Sequence, residues 1–143
     1  MPLLEGEIHL APLISSATAA EACLNLGALQ YALDLAESGL SRAREARNSP
    51  FEAAALRIRG RVLAAPGQWT EGEADLAEAE ATFRQMGLLF DLARTLLHLG
   101  ALQLGRGGEE GRARVQEALA IFEQLGAAPY IQKARQALGL PNS

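Results

Sequence analysis

The five residues Phe83-Arg84-Gln85-Met86-Gly87 return thirty-nine positions later as Phe122-Glu123-Gln124-Leu125-Gly126. Each copy follows an Ala/Glu-rich run and precedes an apolar run ending in Leu-Gly, at Leu99-Gly100 and Leu138-Gly139. A fixed period of this size means that one supersecondary unit is reused. A unit so small buries its apolar face only by stacking on its neighbours.

Small residues keep the same register. Gly60 and Gly100 lie forty apart, and Gly67 and Gly107 follow each by seven. Ala32, Gly72 and Gly111 recur at spacings of forty and thirty-nine. A glycine inside a helix costs ~0.5–1 kcal/mol relative to alanine. Its return at one place in the unit therefore predicts a close helix crossing, where any side chain would hold two backbones apart.

Composition decides what the unit is made of. Among 143 residues, Val occurs twice and Thr four times, while Ala, Leu, Gly, Glu and Arg dominate. Strand formers are too scarce for a sheet, and an all-α fold is expected. The net charge of −4 gives no reason to expect nucleic acid or an anionic membrane surface as partner. Cys23 is the single cysteine, so no intrachain disulfide forms, in keeping with a reducing compartment. Glu5 and Glu7 stand where a signal peptide carries positive charge, and no apolar run approaches the ~18 residues of a membrane span. A cytoplasmic protein is expected.

Start and stop signals divide the chain. Residues 1–12 form an N-terminal segment whose Leu3, Leu4, Ile8 and Leu10 suit a short helix, until Pro12 interrupts it. The repeat domain spans 13–139, with helix pairs at 13–48, 49–87 and 88–126 and a capping helix at 128–139; residues 140–143 form a tail. The first helix opens at Pro12 or at the capping box Thr18-Ala19-Ala20-Glu21 and ends near Gly27. The second runs from about Gln30 to Ala46. Ser49-Pro50-Phe51-Glu52 supplies a cap, a proline at the first position and a returning carboxylate for the third, which ends near Ala65. Thr70-Glu71-Gly72-Glu73 reads as a capping box for the fourth, which ends at Met86 with Gly87 as a left-handed cap. The fifth, Leu89–Leu104, carries two apolar stripes, Leu92, Leu96 and Leu99 on one and Leu89, Ala93, Leu97, Ala101 and Leu104 on the other, as a helix packed between neighbours does. The sixth, Glu109–Leu125, places Val115, Leu119 and Phe122 on one face. Pro129 opens the last helix, which stops at Gly139 before Pro141.

No catalytic constellation emerges. His9, Cys23 and His98 are too scattered to pair as metal ligands. Gly105-Arg106-Gly107-Gly108-Glu109-Glu110-Gly111 matches a phosphate loop only in glycine content, lacking the final Gly-Lys-Ser/Thr and any preceding strand. The acidic run Glu71, Glu73, Asp75, Glu78 and Glu80 does not converge on a calcium ion, because side chains two apart on a helix diverge, and it is expected to be a solvated face. Met86 and Phe83 are expected in the core. Arg42, Arg44, Arg47, Arg57, Arg59 and Arg61 crowd the second and third helices, predicting cross-helix ion pairs. No cofactor and no metal are implied.

These spacings resemble the tetratricopeptide repeat (TPR). The matching residues are Gly60, Gly67, Gly72 and Ala79 in one repeat and Gly100, Gly107, Gly111 and Ala118 in the next, with Ala20, Gly27, Ala32 and Gly39 as a weaker first copy. The period of about forty, against the family's usual thirty-four, is similar to long-helix variants of bacterial regulators and motor light chains. Three departures stand out: that period, Arg59 where Leu99 stands in the next copy, and one residue fewer between Gly107 and Gly111. The resemblance implies a right-handed α-α superhelix, a TPR-like solenoid of three helix pairs plus a C-terminal capping helix.

It also implies a non-enzymatic module for protein–protein interaction, binding a peptide or partner segment in a concave groove lined by the first helix of each pair. Register places Arg57, Arg61, Arg94, Leu97, His98, Ala101, Leu104 and Lys133 in that groove, beside Ala54, Ala64, Ile14, Glu21 and Leu24. Four cations gathered there in an anionic protein either meet an acidic or C-terminal carboxylate segment, since arginine grips carboxylates with a planar fork, or are neutralised within the fold by Glu52, Glu71 or their neighbours. The alternative is a ligand-sensing regulatory domain like those of bacterial transcriptional activators. Leu3, Leu4, Ile8, Leu10 and Leu13 are a poor surface to leave in water, so a homodimer through the N-terminal segment is expected.

Overall fold

The computed structural model describes residues 19–65 and 67–141. Every regular element among them is a helix: α1 over residues 19–25, α2 Leu29–Glu45, α3 Ser49–Ala64, α4 Trp69–Met86, α5 Leu89–Gly105, α6 Glu110–Leu125 and α7 Ala128–Ala137. The N-terminal segment, and with it the expected dimer contact and the Thr18 cap, lies outside the described residues. The chain divides into two compact units between Ala79 and Glu80, inside α4.

In the first unit, α2 packs on α3. Ala20, Ala32, Ala36, Ile58 and Val62 form the core, with Cys23, Leu24 and Leu33 packed against it. Next, α3 crosses α4 where Gly60 meets Gly72. A Cβ on Gly60 would lie 2.8 Å from the Gly72 carbonyl oxygen, and one on Gly72 would lie 2.6 Å from that of Gly60. No real Cβ sits so close to a backbone oxygen, so glycine is obligatory on both helices.

The second unit repeats this contact residue for residue. A Cβ on Gly100 would lie 2.7 Å from the Gly111 carbonyl oxygen and 2.6 Å from Val115 Cγ2, and Gly111 meets Gly100 in return. Around the crossing, Leu92, Leu96, Leu99, Val115, Ala118 and Phe122 are buried, and α7 closes the group with Ala134 and Leu138. The sixth helix starts one residue late relative to its fourth-helix counterpart. Its first turn tightens to bonds three residues apart, Gly111 N–H to Gly108 and Arg112 N–H to Glu109, whereas Gly72 N–H reaches back four to Gln68. That tightening absorbs the missing residue.

Each helix from α1 to α7 ends the same way. Gly27, Gly67, Gly87, Gly107, Gly126 and Gly139 all have positive φ, between 69° and 97°. In each, the glycine N–H and the next N–H turn back onto the last carbonyls, as at Gly87 to Arg84 and Leu88 to Phe83. After α2 the same position is held by Arg47, at φ 53°.

Several sequence expectations shift. The cap of α3 is Asn48, whose side-chain oxygen accepts from Phe51 N–H at 3.2 Å, so Ser49 is already helical. Thr70 lies inside α4, so its capping box does not form. Met86 is 46% exposed rather than core, although Phe83 is buried. Asp75 is buried and Glu80 half-buried, so the acidic run is not a uniform solvated face. Asp75 takes two hydrogen bonds from Arg59, 2.7 and 3.0 Å, while Glu71 and Glu78 stay exposed. On α5 the inner parts of both stripes are buried, but Leu89 and Ala101 are exposed.

Candidate interaction surface

The eight groove positions fall into the two units, six of them in the second. There, α5 carries Arg94, Leu97, His98, Ala101 and Leu104 along three turns, and α7 carries Lys133. Arg94 and Lys133 meet through aromatic rings. The Arg94 guanidinium lies 5.4 Å from the centre of the Phe90 ring, one turn back on α5. The Lys133 ammonium lies 4.9 Å from the centre of the Tyr130 ring, one turn back on α7. Phe90 and Tyr130 touch edge to face, centroids 5.3 Å apart at 88°, and Tyr130 stacks on the fully buried Phe122 of α6 at 5.0 Å.

The result is a ledge with two cations, rooted in the core. A cation held against a ring face has lost part of its motional freedom already, and the ring stabilises it by ~0.5–1 kcal/mol at an exposed site. Lys133 is exposed and Arg94 half-buried. Farther along α5, Leu97 is buried, His98 and Leu104 are half-buried, and Ala101 is exposed. Leu97 thus belongs to the packing, not to an open surface.

In the first unit, Arg57 and Arg61 converge on one oxygen of Glu21, each at 3.6 Å. Arg57 is 3% exposed. A guanidinium buried that far ties α3 to α1 and is not presented to solvent; only Arg61, half-buried, lies near the surface. Glu21 is thus a carboxylate that offsets them, whereas Glu52 pairs with Arg44 at 3.1 Å.

On another face of the second unit, Glu80, Arg84, Glu110, Ala113, Arg114 and Glu117 line an open cleft of about 320 Å³. Its charges largely satisfy one another. Arg84 holds Glu117 with two bonds of 2.8 and 3.0 Å, and Arg114 holds Glu80 at 3.0 Å and the Gln103 side chain at 3.1 Å. The hydrogen bonds from Arg84 push the Glu117 carboxyl below its ordinary pKa, and the same bonds raise that of Arg84.

Sequence reasoning passed over Phe90 and Tyr130. Their signal was present: each is an aromatic residue in the first turn of its helix, one position off the thirty-nine-residue register. Among the described residues no group of three His, Cys, Asp or Glu is placed to hold a metal, and no helix is long and apolar enough to cross a membrane. No protein-family model matches the chain, and a search of curated proteins returns no significant relative.

Proposed function

We propose that this chain is a non-enzymatic protein-interaction module, a TPR-like stack of helix pairs with α7 as its cap, wound as a right-handed superhelix and acting in the cytoplasm. Its partly basic concave groove takes a peptide or partner segment. The observation that carries the reading is the joining of Arg94 of α5 and Lys133 of the capping helix α7 onto one aromatic ledge. The matched glycine crossings support the repeat architecture that such a groove requires. Arg57 drops out of the groove because it is buried, and within the second unit Arg94, His98, Ala101, Leu104 and Lys133 are the working surface with Leu97 beneath.

Selection of a displayed random-peptide library on the full chain tests this. Enriched peptides should lose on the order of tenfold in affinity to an Ala101→Glu variant, which sets a carboxylate among the groove cations without touching the core. Failure to enrich any peptide, or binding indifferent to Ala101→Glu, overturns the groove.

A further inference from the structure

The turns α4–α5 and α6–α7 of the second unit expose apolar side chains that the repeat does not require. Met86, Leu89, Phe90 and Leu125 are 46%, 40%, 38% and 45% exposed. The repeat provides an internal control. At the equivalent turn between α2 and α3, register puts Ala46, Ser49 and Pro50 where Met86, Leu89 and Phe90 stand. That turn closes its carbonyls in the same way, Arg47 N–H on Arg44 and Asn48 N–H on Ala43. Large apolar residues are therefore not needed to make the turn. Phe90 and Tyr130 touching at 5.3 Å shows that the two apolar turns adjoin.

We infer that this turn edge docks an amphipathic helical segment with aliphatic residues on one face and acidic residues beside it, an inference that rests on the interaction-module reading above but places the contact at the turns as well as in the groove. Exposed aliphatic and aromatic side chains gathered on one edge mark a contact surface, and Met86 adapts to the shape of what packs on it. The charge of the occupant follows from the margin. Arg94 and Lys133 sit one turn beyond Phe90 and Tyr130, their inner sides against rings. No carboxylate among the described residues pairs with Lys133, so an incoming carboxylate meets a cation already held in place and partly stripped of water. A nucleic acid offers the same attraction but is repelled by the net charge of −4.

Three fluorescein-labelled helical peptides, with Glu/Leu, Lys/Leu and Glu/Ser on matched positions, distinguish the occupants by anisotropy with the full chain. The Glu/Leu peptide should bind, the other two at least about tenfold more weakly. Leu125→Ser and Lys133→Glu, both at exposed positions, should each weaken it while the melting temperature holds, and added salt should weaken it further. Equal binding of Lys/Leu overturns the acidic assignment. Light scattering that shows dimers abolished by Leu125→Ser assigns the edge to a second copy and also overturns it. Library peptides that respond to Ala101→Glu but not to Leu125→Ser or Lys133→Glu sink the edge and leave the groove standing. Absence of binding by every peptide sinks both.

Discussion

At the α3–α4 crossing, Arg57 and Arg59 occupy the positions that Leu97 and Leu99 hold on α5. Both crossings place glycine on glycine at nearly the same distance. Both bury an alanine two turns on, Ala79 in one and Ala118 in the other. Beside Gly100 the packing is apolar, with Leu99 fully buried. Beside Gly60, each arginine has been given a carboxylate, Glu21 for Arg57 and Asp75 for Arg59. Backbone approach is thus dictated by glycine, while the side chains flanking it are free to be polar where partners exist. The hydrogen bonds that Arg59 donates to Asp75 raise the guanidinium pKa further above its ordinary value.

The comparison breaks most directly at its shared feature. Gly60→Leu and Gly100→Leu should each lose about 3 kcal/mol or more, because the first added atom already collides with backbone oxygen. Urea unfolding that finds either variant near wild type removes the crossing from the account. The difference between the crossings is sharpened next. Asp75→Ala strands a half-buried guanidinium and should cost about 2–3 kcal/mol. Arg59→Leu combined with Asp75→Leu should recover most of that loss, since Leu99 and Leu35 fill the equivalent places elsewhere in the chain. A double variant no better than Asp75→Ala shows that the ion pair, not the volume, is required.

A smaller effect is expected at Arg47, where glycine stands in the other repeats. Arg47→Gly should raise stability by about 1 kcal/mol by relieving a left-handed conformation that a Cβ disfavours. The smallest concerns pH. Because Glu117 has a lowered carboxyl pKa in the fold, its contribution is complete above the ordinary carboxylate range and is lost as pH falls through the lowered value. Both partners are exposed, so Glu117→Gln should flatten the acid limb of the stability curve by only ~0–1 kcal/mol.

Most of the helical architecture is legible in the sequence because glycine leaves a periodic mark that nothing else in a helix explains. Gly60, Gly72, Gly100 and Gly111 announce two crossings, and Gly87 and Gly126 two caps. Helix starts are less legible, since Asn48 and Ser49 are neighbours with similar capping chemistry, and Thr70 falls one residue inside a helix that already starts at Trp69. The candidate surface is half legible. Register identifies Arg94 and Lys133, but burial of Arg57 depends on Glu21 arriving from α1, a contact thirty-six residues away in the chain. Met86 misleads because a residue at the end of an amphipathic stripe faces the core in pattern and solvent in fact.

The left-handed turn that closes each helix has a consequence for how such a chain changes length over generations. Every helix satisfies its terminal carbonyls with its own next two residues, so no cap is borrowed from a distant partner. A cut falling at Gly67 and again at Gly107, or at Gly87 and Gly126, lifts out a complete helix pair with its closing turn. Both new junctions then join a finished helix to a fresh start. These glycines bound self-closed helix pairs, and their spacings of forty and thirty-nine show that the pairs need not be of equal length.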